Sequence, residues 1–124
     1  MSQPHVIQIL VVEDETIVRF SAADALTDAG FHVIQAEDAR EALAALESGL
    51  KPSLLFTDVN MPGDTNGIEL AERAFAKDPS LMIIITSGLP LLRDIGHLPA
   101  RFLAKPYALN DLCQTARGVC PQIH

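Results

Sequence analysis

"LLFTDVNMPG", residues 54–63, opens with three apolar residues and a threonine, runs straight into Asp58, and reaches Pro62 and Gly63 soon after. Leu54 to Thr57 reads as a buried strand. A carboxylate at the end of such a strand is either solvated and incidental or placed there for chemistry. The rest of the chain decides which.

Apolar runs alternate with helix-period segments on both sides of this stretch. Upstream, "HVIQILVV" ends at Val12 and reads as a strand. Residues 15–29 then put Val18, Ala22, Ala25, Leu26 and Ala29 on one helical face, and Gly30 supplies a stop. "FHVIQA" is a short strand. Asp38 with Glu41 resembles a capping box, Ala39, Ala42, Leu43 and Leu46 repeat a helical stripe, and Gly49 ends it. Downstream, Asn66 with Glu69 is a second cap-like pair, followed by Leu70, Ala71, Ala74 and Phe75 up to Pro79. "LMIIIT", residues 81–86, is the continuous apolar run of a strand covered on both faces. "SGLPLLRDIGHLPA" holds two prolines and two glycines, so the helix between strands 4 and 5 is expected to be short or irregular. "RFLA" is a fifth strand, and a last helix runs from about Leu109 to Val119 with Leu112, Cys113, Ala116 and Val119 inward.

Strict strand–helix alternation with apolar strands implies an α/β fold: a doubly wound, five-stranded parallel sheet. Right-handed crossovers leave few topologies, and the order 2-1-3-4-5 is the natural one. The 124 residues suit a single domain, 1–124, with 48% hydrophobic residues and a formal net charge of −7. That charge argues against a direct nucleic-acid binder and against an anionic membrane surface as partner. No apolar run approaches the roughly 20 residues needed to span a bilayer. Residues 1–5, "MSQPH", carry neither part of a signal peptide, so a cytoplasmic location is expected. Cys113 and Cys120 share one helical face too far apart for a disulfide and read as core thiols. His5, His32, His97 and His124 show no metal-ligand spacing.

In a parallel sheet the residues just past each strand all emerge at the same edge, and ligands sit there at the switch point between strands 1 and 3. Strand 1 ends in Glu13 and Asp14, strand 3 in Asp58, strand 4 in Thr86, and strand 5 is followed by Lys105. Five functional groups thus converge on one edge. Two carboxylates about 4 Å apart repel by roughly 4 kcal/mol at an effective dielectric near 20. A hard divalent cation such as Mg²⁺, which takes oxygen ligands and keeps several waters, removes that repulsion, and Lys105 adds a fixed positive charge. An ordinary aspartate, with a pKa of about 3.9, is ionised at neutral pH and needs no general base to act as a nucleophile. It needs cancellation of its repulsion with an incoming phosphoryl group. The Thr86 hydroxyl is able to donate to a phosphoryl oxygen once it is in place. The chain reads as built to carry an aspartyl phosphate on Asp58.

Together these residues resemble the receiver domain of two-component response regulators, the CheY-like members of the flavodoxin-like folds. "VVEDE" (11–15) is similar to the acidic pair after strand 1, and "FTDVNMPG" (56–63) to the phosphoacceptor segment. "IITSG" (84–88) is similar to the switch hydroxyl with its small neighbour, and "FLAKPY" (102–107) to the lysine-proline segment. The resemblance covers essentially the whole chain. It implies that Asp58 is the phosphorylated aspartate and that Glu13, Asp14 and Asp58 surround Mg²⁺, Asp14 directly and Glu13 often through water. It also implies that Asn60 gives its backbone carbonyl to the metal and tunes phosphoryl loss with its side chain. Thr86 and Lys105 match the switch hydroxyl and the phosphate-pairing lysine, and Phe102 matches the switch aromatic. The implied phosphodonor is a histidine kinase or a histidine phosphotransfer protein, and the implied readout is a downstream protein partner on a remodelled surface.

Three features depart from the family pattern. "MPGDTNG" is one residue longer before its glycine, the span from Thr86 to Lys105 is short enough for helix 4 of the family to be missing or remodelled, and Phe102 replaces a tyrosine. No DNA-binding or catalytic output domain fits in 124 residues, and enzymatic activity is expected only toward the chain's own phosphorylation and dephosphorylation. Two other readings compete. One is a phosphorylation-independent adaptor, against which the complete acidic set stands. The other is a small aspartate-nucleophile phosphatase, which would need an acid where Asn60 stands.

Overall fold

The computed structural model describes residues 6–63, 65–91 and 95–120. The expectations for "MSQPH", His5 and His124 lie outside these residues, as does the middle of the stretch between strands 4 and 5. The elements are β1 (Gln8–Val12), α1 (Thr16–Asp28), β2 (His32–Ala36), α2 (Ala39–Glu47), β3 (Leu54–Asp58), α3 (Gly67–Lys77), β4 (Met82–Ser87), β5 (Ala100–Ala104) and α4 (Leu109–Val119). The five strands pair in parallel in the order β2-β1-β3-β4-β5. The expected topology is the one observed.

The central strands are apolar throughout because both faces of the sheet are covered. Side chains alternate between the faces along each strand. Leu10, Val12, Leu55, Ile83 and Ile85 join Ala42, Leu46, Leu70 and Ala74 in one core, under α2 and α3. Ile9, Val11, Leu54, Phe56 and Ile84 join Leu26, Leu112, Ala116 and Val119 in the other, under α1 and α4. Each fully buried leucine or isoleucine contributes on the order of 2 kcal/mol, so these two layers are the main favourable term in the fold. Cys113 and Cys120 are buried free thiols of the second core.

The caps read from the sequence form. Asp38 accepts the Glu41 amide at 2.9 Å, and Asn66 accepts the Glu69 amide at 2.9 Å. The first box is shifted by one residue, since Glu41 reaches back at 3.4 Å to the amide of Glu37 rather than to that of the cap itself. Gly30 and Gly49 take φ of +103° and +110°, the left-handed conformation that ends α1 and α2 without a Cβ penalty. On α1 the buried stripe is rotated from the expected one. Ala22 and Leu26 are buried as expected, Val18, Ala25 and Ala29 are only half-buried, and Ala23 and Arg19 are buried as well.

Among the described residues no helix lies between β4 and β5. Leu91, Ile95 and Leu98 fill its place against the α2–α3 core. His97 Nε2 ties this segment to α3 through Glu72 Oε2 at 2.8 Å. Prolines and glycines break the helical period there, and the described apolar residues still cover the sheet.

Candidate functional site

The carboxyl ends of β1, β3, β4 and β5 meet at one edge of the sheet. Thr86 is the register partner of Asp58 across β3 and β4, so the two side chains stand side by side. Glu13 and Asp14 follow β1, the other neighbour of β3. Oxygen atoms of Glu13, Asp14 and Asp58 all lie within 4.8 Å of one another. Glu13 and Asp58 are buried, at 3% and 5% exposure, while Asp14 is exposed. Lys105 Nζ donates to Glu13 Oε1 at 2.6 Å and to Asp58 Oδ2 at 3.0 Å, with Glu15 Oε1 at 3.9 Å. The peptide bond that follows it, to Pro106, is cis.

The electrostatics follow from burial. Removal from water raises the Glu13 pKa above the ordinary carboxylate value, and the charge of Asp58 raises it further. The Lys105 hydrogen bond and the Glu15 amide pull it back only in part. For Lys105 burial acts to lower the pKa, but hydrogen bonds to Glu13 and Asp58 outweigh it and hold the ammonium above the usual lysine range. Lys105 pairs with Glu13 and Asp58, and Asp14, the third acid of the cluster, is left with no hydrogen bond or ion pair among the described residues. A trio of hard oxygens with surplus negative charge is the donor set a small divalent cation takes.

Thr86 adds a second, independent observation. Its Oγ1 is buried and has no hydrogen-bond partner among the described residues. A buried hydroxyl left unpaired costs on the order of 1–3 kcal/mol, so an acceptor oxygen placed beside Asp58 would be favoured by pairing with it.

Other site residues are placed differently. Asn60 is exposed, its amide donates to Asp58 Oδ1 at 3.4 Å, and its side chain donates to Ser87 Oγ at 3.3 Å. Phe102 is not brought into the cluster. It lies on the edge strand β5 with 42% of its surface exposed. Tyr107 packs edge-on against Phe56, with ring centroids 5.7 Å apart, and burial pushes its phenol up to about 12.

Two supporting residues escaped the sequence reading. Gly67, the first residue of α3, donates its amide to Val59 O at 2.9 Å and lies so close to β3 that a Cβ would overlap the Asp58 carbonyl. A glycine directly after the helix-capping Asn66, where helix formers are preferred, was the signal available. Arg19 is buried at 6% exposure and donates to the Glu13 carbonyl at 2.9 Å. An arginine three residues before the core position Ala22 was its only trace.

The response regulator receiver domain family model matches residues 9–117. This chain belongs to that family. It is a phosphoacceptor domain of two-component signalling with the CheY-like fold, and receivers of this kind work with histidine kinases. The response regulator receiver protein CpdR of Brucella abortus is 38% identical over 110 residues, covering 85% of this chain and 89% of CpdR. DctD of Rhizobium meliloti, a transcriptional regulatory protein of C4-dicarboxylate transport, is 32% identical over 113 residues, but the chain spans only 24% of its length. The solved receiver domain of the hybrid histidine kinase CckA superposes with a TM-score of 0.77 at 32% identity, covering 90% of this receiver and 97% of that one. The response regulator TrrA of Thermotoga maritima, solved in complex with Mg²⁺ and BeF, gives 0.80 at 26% identity, covering 92% and 99%. No helix among the described residues is long and apolar enough to cross a membrane.

Proposed function

We propose that this receiver takes its phosphoryl group onto Asp58 from a phosphohistidine of a histidine kinase or histidine phosphotransfer protein, with Mg²⁺ held by Glu13, Asp14, Asp58 and the carbonyl of Asn60. A carboxylate oxygen of Asp58 forms the new O–P bond as the P–N bond to the donor imidazole breaks, and the imidazole leaves. Lys105 pairs with the arriving phosphoryl oxygens. Thr86 donates its hydroxyl to one of them and so gains the partner it lacks. Magnesium, when bound, supplies neutralisation of the charge that gathers between acceptor and phosphoryl group. The chain acts catalytically only on its own phosphorylation and dephosphorylation.

The observation that carries this reading is the unpaired, buried Thr86 hydroxyl beside Asp58. The Mg²⁺ in the TrrA complex supports the choice of cation. Phosphorylation adds a charge of about −2 and biases a two-state surface. Phe102, exposed on β5, turns inward as Thr86 moves toward the phosphoryl group. It has no hydroxyl to hold it there, so burial of its ring is the stabilising term. The partner that reads this surface is a protein, and the site of action is the cytoplasm.

Intact-mass measurement after incubation with acetyl phosphate and Mg²⁺ tests the assignment. One phosphoryl mass is expected in the wild type and none in Asp58→Asn. A wild type that takes no phosphoryl group from any donor yet binds a partner tightly is an adaptor instead, and steady hydrolysis of phosphate esters makes it a phosphatase.

A further inference from the structure

Glu13 is held at every polar group it has. Its amide donates to Ala36 O at 3.2 Å. Its carboxylate takes Lys105 on Oε1 at 2.6 Å and the Glu15 amide on Oε2 at 3.1 Å. Its carbonyl takes Nη1 of Arg19 at 2.9 Å. The first three contacts belong to the sheet and to the site. The fourth has no part in the chemistry described above.

Arg19 is itself fixed from several sides. Its Nε donates to Gln35 Oε1 at 3.2 Å, its Nη2 lies 3.9 Å from Glu37 Oε1, and its Cζ sits 5.2 Å from the centroid of the Phe20 ring. A guanidinium does not deprotonate in a protein, so this grip persists at any working pH. One side chain on α1 thus joins β2 and the residue after it to the turn that follows β1.

That turn carries Asp14. The Glu13 carbonyl and the Asp14 amide belong to one rigid peptide plane, so holding the oxygen sets the direction in which Asp14 leaves it. Among the described residues the Asp14 carboxylate has no hydrogen bond of its own, so its backbone alone aims it at Asp58.

We propose that Arg19 is a positioning residue: by gripping the Glu13 carbonyl it holds the Asp14 carboxylate toward Asp58 and so sets the affinity of the acidic cluster for a divalent cation. The inference rests on the magnesium reading above. Its sign separates it from the alternatives. Arg19 acting only as a nearby positive charge opposes a dication, so its removal would tighten binding. Arg19 as a positioning group does the reverse, and a purely structural Arg19 changes the melting temperature alone.

Calorimetric titration of Mg²⁺ into wild type, Arg19→Met, Arg19→Lys and the distant core variant Leu46→Ala, with the metal-free melting temperature of each, decides the matter. Arg19→Met is expected to bind Mg²⁺ at least fivefold more weakly. Arg19→Lys, which keeps a donor, is expected to fall between it and the wild type. Leu46→Ala is expected to melt earlier and keep its affinity. Unchanged or tighter binding in Arg19→Met overturns the proposal, and so does equal weakening in Leu46→Ala. Should Arg19→Met not fold, Arg19→Lys decides: affinity equal to the wild type overturns the proposal, and weaker binding supports it. A wild type that binds no Mg²⁺ overturns the magnesium reading as well, whereas binding that is indifferent to residue 19 overturns this inference alone.

Discussion

Lys105 Nζ lies 2.6 Å from Glu13 Oε1, a shorter contact than the 3.0 Å it makes to Asp58 Oδ2. The ammonium is therefore already engaged by the turn after β1 before any phosphoryl group arrives. A dianion on Asp58 competes for it, and the Glu13 contact is the one that must lengthen. Lys105→Ala removes the group that feels this competition while leaving the three carboxylates in place. The variant is expected to accept a phosphoryl group from acetyl phosphate but to show no phosphate-dependent change in partner binding or in the amide NMR shifts of β5. Phosphate-dependent binding that survives the substitution would refute this coupling role.

Asp58→Asn is expected to stabilise the metal-free protein. With oxygen atoms within 4.8 Å, Asp58 meets two repulsions, from Glu13 and Asp14, against one attraction to Lys105 at 3.0 Å. At an effective dielectric near 20 the repulsions are roughly 3 kcal/mol each and the attraction roughly 5 kcal/mol. The difference favours the neutral amide by about 1 kcal/mol, or a rise of a few degrees in melting temperature. Millimolar Mg²⁺ should raise the melting temperature of the wild type by mass action and that of Asp58→Asn much less. Thermal melts with EDTA and with Mg²⁺ read both effects, and an Asn variant that melts lower in EDTA contradicts this balance of charges.

What the sequence made legible was set by strand ends. Continuous apolar runs locate where each strand stops, and in an all-parallel sheet those stops share an edge, so Asp14, Asp58, Thr86 and Lys105 assemble on paper as they do in space. That no regular helix lies between β4 and β5 among the described residues was legible for the opposite reason, because prolines and glycines break the helical period. The partners of the buried charges were not legible. Glu13 read as a metal residue, yet its nearest charge is an ammonium 92 positions away. Arg19 lies outside the apolar face read for α1, and only the fold shows that its guanidinium ends on the Glu13 carbonyl. A charge's partner depends on tertiary geometry, which local periodicity does not encode.

Gly67 offers a steric test of the same site. Any Cβ at this position overlaps the Asp58 carbonyl, and the Gly67 amide is tied to Val59 O at 2.9 Å, so the backbone has little room to retreat. Overpacking of this kind costs about 1–3 kcal/mol and here displaces Asp58 itself. Gly67→Ala is expected to lose about that much stability by urea denaturation and to be phosphorylated at least tenfold more slowly than wild type. Gly118→Ala, at a helical position with open space around it, serves as the control: it should be phosphorylated at the wild-type rate and be as stable as wild type or up to about 1 kcal/mol more stable.

Tyr107 gives the site a spectroscopic handle. It is the one tyrosine of a chain without tryptophan, so absorbance near 295 nm on alkaline titration reports it alone. Burial, with the charge of Glu13 adding to it, pushes its phenol up to about 12 in the folded protein. In the unfolded chain it titrates near the ordinary value of about 10. Below that value both states hold the proton. Between the two values only the folded state keeps it, so unfolding releases a proton and rising pH favours the unfolded chain. Stability is therefore expected to decline from about pH 10 upward, with the 295 nm step appearing near pH 12 or together with unfolding, whichever comes first. Phe56→Leu removes the ring against which Tyr107 packs edge-on, and the extra solvent reaching the phenol should move the step downward. A native step near pH 10 in the wild type would show that the phenol is hydrated and not packed against Phe56.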